Sequence, residues 1–198
     1  MGLQAKFLTF NSNIYITRQN EEYKNARKKD DSITEEIRKK FNENGYPVQE
    51  DFIQGSLATA TAIKEKGKDF DIDRAIVIKE EDAPDDPTIP KKVVLDILEN
   101  RGFKNAKIKK PCITADYQNE DLHIDIPIYS KSSTGFYKLA IGKKNSDENN
   151  REWSDSDPKG LIDWINATDN SETYETEKLQ QFKRLTRYIK RWRNLNFH

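Results

Sequence analysis

The sequence is poor in cysteine and in long apolar runs, and each shortage excludes a class of protein. Cys112 is the single cysteine among 198 residues, so a disulfide framework and a cysteine-based zinc site are both excluded. No apolar run approaches the length of a membrane span, and the N-terminal residues lack the apolar core of a signal peptide. The sequence therefore predicts a soluble protein of a reducing cytoplasm, with no membrane partner.

Net charge is absent as well. Lys and Arg together number 34, as do Asp and Glu, so no overall field attracts nucleic acid. Hydrophobic residues make up 34% and the mean hydropathy is −0.96, which places long polar segments outside any core. The length suits one ordinary domain or one lobe of a two-lobe protein.

Against this background, three aspartates stand out because they share strand parity. Asp71 and Asp73 lie in a predicted strand over 70–79, and Asp125 lies in a second predicted strand over 121–129. Residues i and i+2 of a strand point to the same face, so two carboxylates lie side by side and the third can join them from a neighbouring strand. Like charges on one face repel, whereas Mg²⁺ prefers carboxylate oxygens together with substrate phosphates. The pattern predicts a metal site for phosphoryl chemistry rather than three solvated acids.

A Gly-Ser pair precedes the aspartates. Gly55 and Ser56 follow a predicted strand over 49–54 and open a short helical stretch. Glycine lets a phosphate approach the backbone, and free N–H groups at a helix start favour an anion. We predict phosphate binding here, with a tight turn capped by serine as the structural alternative.

The remaining sequence predicts helices at both ends and a polar region between them. Residues 1–17 are mixed in character, 80–90 read as a loop, and 107–117 with 121–129 predict a hairpin turning at Gln118-Asn119-Glu120. Helical periodicity covers 18–42, 91–100 and about 177–195. Residues 130–176 are polar with isolated tryptophan anchors. His123 shares the parity of Asp125. We interpret it as a packed or partly exposed strand histidine, with a place in the lining of the site as the alternative.

The last predicted helix is strongly amphipathic. Its apolar stripe consists of Leu179, Phe182, Leu185, Ile189 and Trp192, and basic side chains occupy the rest of its surface. Little remains in the sequence to bury this stripe, so we expect part of it to be exposed. Lys190 is predicted to approach a triphosphate, with most of the other charges solvated.

Several motifs together resemble one family. They are Phe52-Ile53-Gln54-Gly55-Ser56, Thr59-Ala60-Thr61-Ala62-Ile63, Asp69-Phe70-Asp71-Ile72-Asp73, His123-Ile124-Asp125-Ile126-Pro127, Trp153 with Ser156 to Gly160, and Lys190-Arg191-Trp192-Arg193. The sequence resembles the bacterial cGAS/DncV-like nucleotidyltransferases (CD-NTases), whose catalytic lobe is similar to that of DNA polymerase β. The resemblance covers nearly the whole chain.

The resemblance implies an α/β (α+β) polymerase-β-like lobe, a twisted mixed sheet flanked by helices. It divides the chain into a helical region (1–48), a catalytic sheet (49–130), a polar connecting segment (131–176) and the start of a helix leading to a second lobe (177–198). Family members continue beyond that helix into a helical lobe, which we expect to be missing here. Arg74 stands where the family usually has a small or apolar residue, and the sequence alone does not explain it.

The same resemblance implies an activity. Nucleoside triphosphates (ATP, with GTP or others as alternatives) would condense into a cyclic di- or oligonucleotide second messenger in anti-phage defence (CBASS), with release of pyrophosphate. Asp71, Asp73 and Asp125 would be catalytic and bind Mg²⁺ or Mn²⁺, while Gln54, Gly55, Ser56 and Lys190 would bind the nucleotide. The implied partners are an effector protein activated by the product and a regulatory protein. The alternatives are a polymerase-β-like transferase acting on RNA, protein or a small molecule, and a catalytically inactive nucleotide-binding fragment.

Overall fold

The described part of the chain contains both helices and strands, with a run of strands between the fourth and fifth helices. The computed structural model describes residues 2–64, 70–103, 105–117, 122–167 and 173–197. The helices are α1 (Leu3–Ile14), α2 (Glu21–Glu43), α3 (Gly55–Ala58), α4 (Thr88–Asn100), α5 (Gly160–Asn166) and α6 (Thr173–Asn196). The strands are β1 (Val48–Gln54), β2 (Phe70–Lys79), β3 (Lys107–Ile108), β4 (Ile113–Tyr117), β5 (Leu122–Ile126), β6 (Ile128–Lys131), β7 (Tyr137–Ile141) and β8 (Glu152–Ser156).

The strand β2 organises one mixed sheet. β1 pairs antiparallel along one edge of β2, while β5 and then β6 pair parallel along the other edge. Pro127 separates β5 from β6, because proline has no N–H to donate to a ladder, and its carbonyl accepts from the Ile76 N–H at 3.1 Å. Outside these strands the sheet continues antiparallel in two arms, in the order β3-β4-β5-β2-β6-β7-β8. The predicted fold class is confirmed.

The core lies between one face of this sheet and two helices. Ile72, Ile76 and Ile78 alternate along β2 and are fully buried, as are Ile37 and Phe41 of α2. Val94 and Leu98 of α4 join the same cluster. Since successive strand residues point to opposite faces, burying this isoleucine face turns Asp71 and Asp73 to the other face of the sheet.

Arg74 falls on the helix-covered face and is buried, with 5% of its surface exposed. Its guanidinium bonds to Asp30 of α2 and, through Nη1, to Asp51 of β1 at 2.7 Å. A third carboxylate, Asp31, accepts from Nη2 at 2.9 Å. These contacts explain the arginine that the sequence left unexplained: it links a helix and two strands through paired charges inside the core.

The structure differs from the sequence-based expectations in three places. Residues 1–17, predicted as mixed, contain the helix α1, and the polar segment 131–176 contains β7, β8 and α5. The strand predicted over 107–117 is two strands, β3 and β4. β4 and β5 do pair antiparallel, but the predicted turn at Gln118-Asn119-Glu120 lies outside the described residues.

The missed elements carry weak sequence signals for identifiable reasons. β7 and β8 are partly exposed, so polar side chains interrupt their apolar alternation. The Trp153 indole donates to the Pro84 carbonyl at 2.9 Å, which ties β8 to a distant loop. Among the described residues, no helix combines the length and the hydrophobicity needed to cross a membrane.

Candidate active site

Strand register brings two of the three predicted aspartates opposite each other. In the parallel pairing of β2 with β5, Asp73 lies opposite Asp125 and Asp71 lies opposite His123. Neighbouring strands lie about 4.8 Å apart, so these side chains on one face are close neighbours. The shared face that the spacing predicted is therefore present, although the pairing partner of β2 could not be deduced from spacing.

The Gly-Ser turn meets the same place from the other edge of β2. In the antiparallel pairing of β1 with β2, Gln54 lies opposite Asp73, and Gly55 follows at once with a φ of +64°. A Cβ added at Gly55 would stand 2.0 Å from Oδ2 of Asp73. Both the left-handed backbone and the approach of the carboxylate therefore demand glycine at this position.

Gln54 and Ser56, on either side of Gly55, both accept hydrogen bonds from elsewhere in the protein. Gln54 accepts a hydrogen bond from the Tyr129 hydroxyl at 3.2 Å, so its amide oxygen is already engaged by the protein. The carbonyl of Ser56 accepts from the N–H groups of Thr61 and Ala62 at 2.9 and 3.1 Å, which closes a compact turn after the Gly-Ser pair. The sequence-based assignment of these residues to nucleotide binding stays a prediction.

The pKa values of the two facing carboxylates are shifted in opposite directions. Burial, followed by repulsion from Asp125 and Asp71, raises the pKa of Asp73 to about 6. Burial also acts to raise the pKa of Asp125, but hydrogen bonds from His123 and Thr114, with the nearby charge of Lys109, outweigh it and lower that pKa to about 2. Asp125 is therefore ionised throughout the neutral range, whereas the charge on Asp73 is disfavoured unless a cation compensates it.

Sequence reasoning largely missed the side chains that surround Asp125. His123 contacts the Asp125 carboxylate through Nε2 at 3.3 Å and Asp116 through Nδ1 at 2.5 Å, so it adjoins the site and is not merely a packed strand residue. Lys109 Nζ lies 3.8 Å from Asp125, and the Cys112 thiol lies 3.5 Å from it. The shared parity of positions 123 and 125 was the available signal for the histidine. Positions 109 and 112 required the pairing of β4 with β5.

The donor set is chemically suited to a hard divalent cation. Three carboxylates share one face, and their mutual repulsion is what a cation would relieve. Among the residues that the structure describes, no three side chains of His, Cys, Asp or Glu are arranged so that they could hold a metal ion. The assignment of Asp71, Asp73 and Asp125 to a metal site therefore stays a prediction.

The helix α6 approaches the site with its basic face. Lys183 and Arg187 are buried, whereas Ile189 and Trp192 of the apolar stripe are 64% and 58% exposed. The expected exposure of part of the stripe is thus observed. Lys183 and Arg187 are exceptions to the expectation that most of the charges are solvated. Lys190 is partly buried and close enough to Asp71 and Asp73 to be attracted by their charges, although burial lowers its pKa.

Most of the sequence also matches a known protein family. The family model described as "Second Messenger Oligonucleotide or Dinucleotide Synthetase domain" (SMODS) matches residues 1–169. The chain belongs to the SMODS family. A curated relative of this SMODS chain, a cyclic GMP-AMP synthase from Escherichia albertii, is 32% identical over 158 residues. That alignment covers 74% of the chain and 32% of the relative, so the SMODS chain spans about a third of the relative's length.

Solved structures confirm the fold. The Vibrio cholerae DncV cyclic AMP-GMP synthase with a linear intermediate matches with a TM-score of 0.56 and 24% identity, over 73% of the SMODS chain and 38% of DncV. The E. coli MS115-1 CdnC with ATP matches with a TM-score of 0.60 and 18% identity, over 96% of the SMODS chain and 56% of CdnC. Together with the family model and the curated relative, these matches confirm the resemblance to bacterial CD-NTases.

Proposed function

We propose that this protein joins nucleoside triphosphates into a cyclic di- or oligonucleotide second messenger, releasing pyrophosphate, in bacterial anti-phage defence. The observation that carries the proposal is the register that sets Asp73 opposite Asp125 on one side and beside Gly55 on the other. Family membership and relatives named as cyclic GMP-AMP and cyclic AMP-GMP synthases support it. The proposed substrates are ATP and, by analogy with a DncV structure in the GTP-bound form, GTP.

In the proposed reaction a 2′- or 3′-hydroxyl of one nucleotide attacks the α-phosphate of another. An O–P bond forms, the bond between the α- and β-phosphates breaks, and pyrophosphate leaves. The turn at Gly55 and Ser56 would hold the donor triphosphate, because the glycine lets phosphate oxygens reach the backbone. Lys190, which approaches the same carboxylates, would add positive charge to the triphosphate site.

Asp71, Asp73 and Asp125 would bind Mg²⁺ or Mn²⁺. The bound ion would neutralise charge on the phosphates and favour the deprotonated form of the attacking hydroxyl. Asp125 suits this role because its neighbours keep it ionised. Asp73 suits it because a bound cation would compensate the charge that burial and the nearby carboxylates disfavour. The effector activated by the product, the regulatory partner and the cytoplasmic location belong to the same proposal.

The test is to incubate the protein with labelled nucleoside triphosphates and Mg²⁺ and to identify the products by mass. A cyclic oligonucleotide formed without added acceptor is expected. The Asp71→Asn, Asp73→Asn double variant should form none while remaining folded. Transfer of label only to added RNA, protein or a small molecule would replace the proposal by another polymerase-β-like activity.

The matched control for this test is Asp96→Asn. Asp96 is an exposed residue of α4, so the substitution removes a carboxylate without touching the site. Product formation should be unchanged. Pyrophosphate release equal to the unsubstituted protein in the double variant would disprove a role for the two β2 aspartates.

A further inference from the structure

Three basic side chains of α6 point inward, and their partners show what this face contacts. Lys183, Arg187 and Lys190 recur at spacings of four and three, so they share one side of the helix. Lys183 and Arg187 are buried and Lys190 is partly buried. Burying cations is costly unless each finds an acceptor, so this face is built around its acceptors.

Those acceptors lie on the backbone segment that follows the Gly-Ser turn. Arg187 donates from Nη1 to the carbonyl of Ala60, and Lys190 donates from Nζ to the carbonyl of Thr61 at 3.2 Å. These bonds connect the C-terminal helix to a segment more than 120 positions earlier in the sequence.

Lys183 reaches the same segment through one intermediate. Its Nζ donates to Oδ1 of Asn166 at 2.6 Å, and Nδ2 of Asn166 donates to the carbonyl of Ala58 at 3.1 Å. All three inward cations of α6 therefore act on carbonyls between positions 58 and 61. The inward face of α6 therefore holds this backbone segment in place through hydrogen bonds.

The segment needs bracing because of Ala60. Among the described residues, Ala60 is the one non-glycine residue with positive φ, at +55°. This left-handed conformation is unfavourable for an L-residue with a Cβ. It folds the chain back so that Thr61 and Ala62 donate to the carbonyl of Ser56, which shapes the turn.

Arg187 is itself held from the opposite side. Its Nε donates to Oδ1 of Asn11 at 2.9 Å, and its guanidinium lies 4.1 Å from the centre of the Tyr15 ring. The guanidinium is therefore fixed between α1 and the turn. A side chain so constrained can set the position of the carbonyl that it binds.

We propose that Arg187 is a positioning residue that holds Ala60 in its left-handed conformation and so sets the Gly55–Ser56 turn in place for a triphosphate. The triphosphate part of this inference rests on the proposed function. The bracing part depends only on contacts of the described residues. The two parts are tested by separate measurements.

The bracing is tested by amide hydrogen exchange in Arg187→Met, with Arg184→Met as the matched control. Arg184 lies on the same helix, and its hydrogen bonds within the described part of the chain go to Gln181, one turn away. Methionine keeps much of the aliphatic bulk but removes the donors to the Ala60 carbonyl and to Asn11, and an acceptor that loses its partner destabilises the segment that carries it. We expect the amides of Thr61 and Ala62 to exchange about tenfold faster in Arg187→Met and unchanged in Arg184→Met. Equal exchange in both variants would overturn the inference.

The functional part is tested by titrating inorganic triphosphate in the presence of Mg²⁺. We expect Arg187→Met to weaken affinity about tenfold, since displacement of a binding group by an ångström has effects of this order or larger. Adding Ala60→Gly should restore most of the affinity, because glycine adopts the left-handed conformation without a brace. A purely structural defect would not be rescued this way.

The possible failures are distinguishable. Triphosphate binding that is equal in the unsubstituted protein and in Arg187→Met would overturn the inference and leave the proposed function standing. No binding by the unsubstituted protein would overturn the proposed function and the triphosphate part together, and the exchange rates would still decide whether Arg187 holds the turn. If Arg187→Met does not fold, Arg187→Lys replaces it. A single ammonium cannot reproduce both the bond to Ala60 and the bond to Asn11, so smaller effects in the same direction are expected.

Discussion

At the scale of single residues, one methyl group at position 55 is expected to disable the site. Gly55→Ala places a Cβ 2.0 Å from the Asp73 carboxylate and on a backbone with φ of +64°. The left-handed backbone costs about 1–2 kcal/mol for a non-glycine residue, and the clash displaces Asp73 as well. We expect loss of triphosphate binding and a lower free energy of unfolding in urea.

The control for this prediction is Gly102→Ala, where φ is +78° but no atom lies within 4 Å of the added Cβ. It should lose the backbone contribution to stability and nothing of triphosphate binding. If Gly55→Ala binds triphosphate as well as Gly102→Ala does, the turn is not the phosphate site.

Asp73 predicts a pH dependence of stability whose sign follows from its raised pKa. Burial, then repulsion from Asp125 and Asp71, raises its pKa from 3.8 to about 6, so its favourable contribution is present below pH 3.8 and is lost as the pH rises through about 6. Asp73→Asn removes the ionisable carboxyl and with it this pH-dependent decrease in the free energy of unfolding. Without divalent cation, the variant should be more stable at pH 7 by about 1–2 kcal/mol after allowance for solvent screening, and the difference should disappear near pH 4.

Urea unfolding between pH 4 and 8 measures this difference, and Mg²⁺ provides a second check. The cation should raise the unfolding temperature of the unsubstituted protein and have a smaller effect on Asp73→Asn. Destabilisation by Asp73→Asn at pH 7 would instead indicate that this carboxylate supports the fold.

At the scale of the elements, Arg74 connects α2 to β1 and β2 through buried charges. Arg74→Met leaves the buried Asp30 with the guanidinium of Arg27, 2.6 Å away, but without that of Arg74, and removal of one member of a buried ion pair costs about 3–5 kcal/mol. The matched variant Arg38→Met removes an arginine that also bonds Asp51 but whose side chain is 40% exposed, and it should cost less than about 1 kcal/mol. Equal losses in thermal or urea unfolding would mean that the Arg74 cluster does not stabilise the junction.

At the scale of the whole molecule, the outward faces of α6 and α1 form an exposed apolar surface. Ile189 and Trp192 are mostly exposed, and Phe7 of α1 packs beside Tyr188 with ring centres 5.5 Å apart. Contiguous exposed apolar surface promotes association. We expect concentration-dependent self-association in sedimentation experiments, weakened by Ile189→Lys with no loss of folding.

Ile37→Lys is the opposite control for this surface. Ile37 is fully buried, so the same substitution should unfold the protein, because an unpaired charge in the core is costly. A monomer at all concentrations in the unsubstituted protein would show that the exposed surface of α6 is tolerated without a partner.

The sequence by itself determined the parts of this protein that depend on local periodicity. The 3.6-residue period predicted α2, α4 and α6, and the alternation over 70–79 predicted β2 together with the shared face of Asp71 and Asp73. These features arise from interactions between residues near in sequence, which a linear pattern records. The Gly-Ser pair at 55–56 was recognised from residue type, but the positive φ and the nearby Asp73 carboxylate that require glycine at position 55 became visible only in the structure.

Tertiary structure alone decided which elements meet. The pairing of β2 with β5 set Asp73 opposite Asp125, and packing of α2 on the sheet gave Arg74 its carboxylate partners. α1 is supported by contacts with α6, about 180 positions away, and α6 turns Arg187 inward because Ala60 supplies a carbonyl there. Such contacts depend on long-range register and on charges satisfied at a distance. No local pattern along the chain encodes them, so the inward basic face of α6 could be found only in the folded protein.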